Sequence, residues 1–269
     1  MRHVSLTKKM SFTLACNSSL KTYVGELTAG AAADEVAVRH TIGSVEKSGE
    51  KDGWAHLAGR YGIKLDGIRT SDVAKRTSRL HLLGAYSGLT VFFSELEEEY
   101  KQLTGRAWKH LDKVSPFEEI AANVTFDIRA EEETVDYYRL CRNAIAHPSA
   151  AAESNVAEYF TNHVASLDAV RETWAPVGGG AAPNKFEAVA FSDVKMLARL
   201  ALDVGKRIVV ACDPGDDALA RVVPADRWRR LGANNERRLK RIAGFLRTAY
   251  GLDSGRADRV AQIAIDRLA

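Results

Sequence analysis

Cysteine is scarce in this 269-residue chain: Cys16, Cys141 and Cys212 are odd in number, far apart and without a C-x-x-C pair. That excludes a zinc knuckle and a disulfide framework, and it makes a reducing, intracellular compartment the expectation. Long hydrophobic runs are missing too, and nothing approaches the roughly 18 consecutive apolar residues of a membrane span. The one leader-like stretch, residues 10 to 15 after Lys8 and Lys9, contains Ser11 and Thr13 and falls short of the roughly 7–15 apolar residues of a secretion signal. An excess of one charge is absent: 38 Lys and Arg stand against 35 Asp and Glu, so the balance alone names no polyanionic partner. Val-Ile-Thr alternation is rare, no internal repeat is visible, and neither an H-E-x-x-H nor a paired-Asp metal pattern occurs. The expectation is a soluble, cytoplasmic, all-α protein with no membrane association, no metal and no cofactor.

What is present is helical periodicity. The chain divides by pattern into an N-terminal helical extension (1–70), a central helical bundle (71–212) and a basic C-terminal helical segment (213–269). Residues 1–50 read as about two helices, broken at "LTAGAAADE" and at the polar, Gly-rich "TIGSVEKSGEKDG". Ser71-Asp72 opens the longest helix. In it Leu82, Leu89, Phe92, Leu96, Tyr100 and Leu103 form one apolar stripe, with Gly84 or Gly88 as a bend and Gly105 past the last turn. A shorter amphipathic piece starts near Pro116, and residues 154–174 read as a further helix. "APVGGGAAPNK" is the clearest linker, and a helix starts near Ser192-Asp193, within which "RIVVAC" admits a short strand.

The stretch "YYRLCRNAIAHPSA" (137–150) carries the chemistry. Glu131, Glu132 and Glu133 lie in the first turn of its helix, where the dipole favours carboxylates. Pro148 pushes the preceding residue out of helical geometry, so the helix stops at about His147. At about 100° per residue, Asn143 and His147 fall within roughly 20° of Asp136, with Arg139 about 60° and Arg142 about 120° to one side. Thr134, Tyr138, Cys141 and Ile145 cluster opposite. Asn143 and His147 are an i,i+4 pair. The bare Arg-to-His spacing is cheap, since Arg76 and His81 in "RTSRLH" repeat it. The 142–147 pair differs in having Asn143 directly after the arginine and in closing its helix, whereas His81 sits among Leu80, Leu82 and Leu83. An ordinary amphipathic helix with a solvated polar face is the plain alternative.

With "RNAIAHP" at a helix end, a long apolar helix before it and two helices after it, residues 71–212 resemble the HEPN superfamily. These are small helical bundles, many of them metal-independent endoribonucleases with an arginine, a following polar residue and a histidine four to six positions after the arginine. The resemblance implies a HEPN-like bundle in which Arg142, Asn143 and His147 are catalytic, with RNA as substrate and a homodimer that brings two motifs to one cleft. It also implies a toxin or antiviral defence role held in check by an antitoxin or regulatory protein. Arg139 and Asp136 are supporting candidates. Glu95 is the candidate for the carboxylate that relatives often carry on the long helix, although a solvated Glu95 in "SELEEEY" fits equally. Imidazole moves protons near neutral pH, and guanidinium offers a permanent planar fork to phosphate oxygens.

The basic tail runs from Arg221 to Arg247 with only Asp226 and Glu236 in opposition. Arg229, Arg230, Arg237, Arg238 and Arg241 are its candidate RNA-backbone contacts. The same cations also suit a solvated face, or pairing with Glu97–Glu99 and Glu131–Glu133. The competing functional class is a non-catalytic, HEPN-like dimeric module that binds RNA, nucleotide or protein through the same polar face. A serine hydrolase or P-loop enzyme fits poorly: "AYSGLT" is no G-x-S-x-G elbow, "GGGAAPNK" lacks the G-K-[ST] ending, and "DPGDD" lacks calcium-loop spacing.

Overall fold

A computed structural model of the chain describes residues 11–49, 53–65, 69–177, 180–224 and 234–268. Among these residues there are eleven α-helices and no strand, so the fold is all-α. In order they are α1 (Ala15–Ser48), α2 (Gly53–Gly59), α3 (Thr70–Thr104), α4 (Pro116–Asn123), α5 (Ala130–Ala146), α6 (Ala150–Asn162), α7 (Val164–Trp174), α8 (Phe191–Ala211), α9 (Asp216–Arg221), α10 (Asn235–Tyr250) and α11 (Ser254–Leu268).

Local signals explain most of these boundaries. α3 ends where Gly105 takes φ 69°, a left-handed conformation that costs glycine nothing. The stripe Leu82, Leu89, Phe92, Leu96, Tyr100 and Leu103 is buried along its whole length. α4 starts at a capping box: the Ser115 hydroxyl accepts from the Glu118 N–H, and the Glu118 carboxylate accepts from the Ser115 N–H at 2.7 Å. α5 ends at Ala146 with His147 as its C-cap, one residue before Pro148.

Four expectations are corrected. Residues 15–48 form one helix, not two: three alanines, the best helix formers, follow Gly30, and one exposed glycine costs only about 1 kcal/mol. The 154–174 segment is two helices meeting at His163, whose φ of −113° and ψ of 20° leave the helical basin. Its Nδ1 lies 3.0 Å from the Tyr159 carbonyl, and its ring stacks on Tyr159. "RIVVAC" is the last part of α8, with Ile208 and Val209 fully buried. Within the stretch read as a linker, residues 181–184 are pinned: Arg171 donates to the Ala181 and Pro183 carbonyls, Ala182 is buried, and Asn184 binds Asp193.

The chain forms two compact units, one made of residues up to Lys21, Val91–Asp127 and Asp203 onwards, the other of Thr22–Thr90 and Ile128–Leu202. α1, α3 and α8 each contribute to both. In the first unit Phe12, Leu14, Phe92, Leu96, Phe117, Ile208 and Leu246 are buried, each contributing about 1.5–3 kcal/mol. The Glu99 carboxylate accepts from the Ala15 and Cys16 N–H groups that open α1. α10 packs on α11, and the Thr13 N–H donates to the Tyr250 carbonyl at 2.8 Å. In the second unit α5 packs against α6 and α7, with Tyr137 and Tyr138 fully buried. Gly84 and Gly88 serve close approach: a Cβ at Gly88 would lie 2.4 Å from the Tyr23 ring, and one at Gly84 would lie 2.7 Å from Leu27.

Candidate active site

α5 is built to carry polar groups from the interior to the surface. Its Glu132 carboxylate accepts from the Arg129 N–H at 3.0 Å and starts the helix. One turn on, Thr134, Asp136, Tyr137, Tyr138 and Cys141 are all buried, so the first half of the helix is enclosed on every side. The stripe that begins at Asp136 is therefore buried at its start and reaches solvent at His147. Asp136 keeps only 9% of its side-chain surface and binds Arg139 through both carboxylate oxygens, at 2.6 and 3.1 Å. Burial works against the Arg139 charge, but the bond to Asp136 outweighs it and holds the guanidinium pKa above its ordinary value.

Further along, Arg142 donates from Nη1 to the Asn143 Oδ1 at 3.0 Å, and both side chains are half-buried. This bond occupies the Asn143 Oδ1, leaving its amide NH2 as a donor, and fixes one arm of the Arg142 fork. His147 is exposed, and its backbone N–H donates to the Asn143 carbonyl at 2.8 Å. Asn143 thus meets its two motif neighbours through different atoms: its side chain holds the arginine and its carbonyl holds the histidine backbone.

Tyr86 completes the cluster and was not expected. It lies on α3, 5% exposed, with its hydroxyl within electrostatic range of Asp136, Arg139 and Arg142. Burial, reinforced by Asp136, pushes its pKa well above the ordinary tyrosine range against the pull of the two arginines. The hydroxyl is therefore a permanent donor. Its position between Leu82 and Leu89 was the available signal, a hydroxyl on an otherwise apolar stripe.

The remaining expected residues lie elsewhere. Glu95 is half-buried on α3 and belongs to the first unit, whereas Asp136, Arg139, Arg142, Asn143 and His147 belong to the second. Arg237 and Arg241 are exposed on α10 and Arg238 is half-buried, while Arg229 and Arg230 lie outside the described residues. The acidic runs do not neutralise α10 among the described ion pairs: Glu99 caps α1, Glu97 meets His110 at 3.3 Å, and Lys240 pairs with Glu236 on α10 itself. "DPGDD" is a turn whose carboxylates are taken by Arg256 and Arg267. Among the described residues no group of three His, Cys, Asp or Glu side chains could hold a metal ion, and no helix is long and apolar enough to cross a membrane. No family model, no curated protein and no solved structure matches this chain.

Proposed function

We propose that this chain is a metal-independent endoribonuclease of the HEPN type, acting through Arg142, Asn143 and His147. The observation that supports it best is the Arg142–Asn143 bond on a helix that ends, one turn later, in an exposed histidine. A solvated face would leave such side chains independent of one another. Here a buried ion pair, a half-buried arginine with its asparagine, and a neutral tyrosine hydroxyl lie along one route to the surface.

RNA supplies its own nucleophile. The 2′-hydroxyl attacks the adjacent phosphorus, His147 moves the proton, and Arg142 and the Asn143 amide neutralise the negative charge gathering on the phosphoryl oxygens. The 5′-oxygen leaves as a hydroxyl and the other fragment keeps a 2′,3′-cyclic phosphate. Asp136 and Arg139, one turn before Arg142, form a neutral ion pair that stiffens the helix without joining the chemistry. In this reading the enzyme is a homodimer, serves as a toxin or an antiviral effector, and is restrained by an antitoxin or regulatory partner. The exposed cations of α10 bind the RNA backbone.

The test is incubation with total cellular RNA in EDTA, with wild type beside His147→Ala, Arg142→Ala and Glu95→Ala. Cleavage should survive EDTA, leave cyclic phosphate ends and fall at least about 100-fold in the first two variants. Cleavage by both at the wild-type rate would sink the site. RNA retained through Arg142 but never cut would make the chain a binding module on the same face.

A further inference from the structure

The first unit holds a polar cavity of about 280 Å³ between the end of α3, the loop after α4 and the turn before α9. Its three charged lining residues are Arg106, Asp213 and Arg221. Local structure fixes each. Gly105 reverses the chain after α3, and the Arg106 N–H then donates to the Thr104 hydroxyl oxygen at 3.1 Å. Arg221 closes α9, and Asp213 opens the turn that α8 feeds.

These charges do not cancel across the cavity. Arg256, only 14% exposed, grips Asp213 from behind through both carboxylate oxygens, one of them at 2.7 Å, and also binds Asp216 at 2.7 Å. Asp213 is thereby neutralised by a residue outside the lining. Neither Arg106 nor Arg221 has an ion-pair partner among the described residues, and both are exposed. Cys212 sits beside Asp213 as a buried thiol whose pKa burial pushes up to about 12, so it adds no charge. Thr125 adds an exposed hydroxyl.

Two permanent forks without an ion-pair partner among the described residues suit a dianion with three oxygens better than a carboxylate with two. The cavity lies at the small end of ligand pockets, which run from about 300 to 1,000 Å³. It therefore takes a sugar-sized molecule rather than a dinucleotide. We propose that this pocket binds a small phosphate monoester, its phosphate held between Arg106 and Arg221 and its polar body against Thr125. The inference stands independently of the ribonuclease reading.

Calorimetric titration of the full chain with ribose 5-phosphate, and with ribose as control, tests it. The ester should bind and ribose should not. Arg106→Gln and Arg221→Gln should each weaken binding about tenfold or more, and the double variant should abolish it. Both side chains are exposed, so circular dichroism should show all three variants folded. Failure of the wild type to bind the ester at millimolar concentration, or undiminished binding by the double variant, would overturn the assignment.

Discussion

Asp193 carries the largest single burden in the second unit. It is fully buried and accepts from the Tyr138 hydroxyl at 3.0 Å, the Asn184 N–H at 2.8 Å, the Asn184 side-chain amide at 2.7 Å and the Ala190 N–H at 2.9 Å. Asp193→Ala strands one buried and three part-buried donors, and the expected loss is at least about 3 kcal/mol, read from the urea midpoint. Asp136→Ala leaves the Arg139 guanidinium enclosed without its partner, and about 2–3 kcal/mol should be lost in the same assay. Tyr86→Phe removes only a hydroxyl, so stability should change little while RNA cleavage slows. An unchanged rate would remove Tyr86 from the site. At this scale the adjacency of Arg142 and Asn143 was readable from the sequence, because neighbours on a helix need no fold to meet. Tyr86 was not, because it lies on a different helix and its electrostatic link to Arg139 and Arg142 depends on the fold.

Glycines separate helices that only need propensity from helices that need proximity. Gly30 on α1 is exposed and an added Cβ would meet nothing within 4 Å, so Gly30→Ala should raise stability by about 0.5–1 kcal/mol. Gly88→Ala gains the same propensity but drives a methyl into the Tyr23 ring and threatens the Tyr23 hydroxyl's 3.0 Å bond to the Gly84 carbonyl. Its thermal midpoint should fall. The α4 region offers a pH test. Burial raises the Glu119 pKa, but bonds from the Leu111 N–H, Trp108 Nε1 and His110 outweigh it, leaving the carboxyl below its ordinary value. A depressed folded pKa means stability that is present above the unfolded value and lost as pH falls through the folded one. Trp108 fluorescence should therefore report loosening of this loop only in acid, and Glu119→Gln should show it already at neutral pH. Boundaries set by neighbouring residues were legible in the sequence: Gly105 after α3, Pro116 at the start of α4, and Pro148 after α5. The sequence breaks α1 because Gly30 and Gly43 look like breakers, and composition does not show that neither has a neighbour within 4 Å of its Cβ position. Residues 181–184 read as part of a linker because Gly and Pro composition says nothing about Arg171 and Asp193, which hold them down.

Sharing of α1, α3 and α8 makes the two units mechanically one problem. α8 buries Leu197 and Leu200 in the second unit and Ile208 and Val209 in the first, so neither core can dissolve without fraying a helix the other needs. The three buried cysteines report on this, with Cys141 in the second unit and Cys16 and Cys212 in the first. Burial raises all three thiol pKa values, so pulse alkylation should miss them in the native protein. As urea rises, all three should become labelled in one transition. Labelling of Cys141 ahead of Cys212 would show the units to be separable. The interleaving also governs how the protein comes off the ribosome. Phe12 stacks on Tyr250 and Thr13 binds the Tyr250 carbonyl, so residues 12 and 13 must wait for residue 250 before they can pack. At about 5–20 residues per second that wait is on the order of 10–50 s. Through it, the apolar start of α1 is a guest for chaperones rather than part of a core.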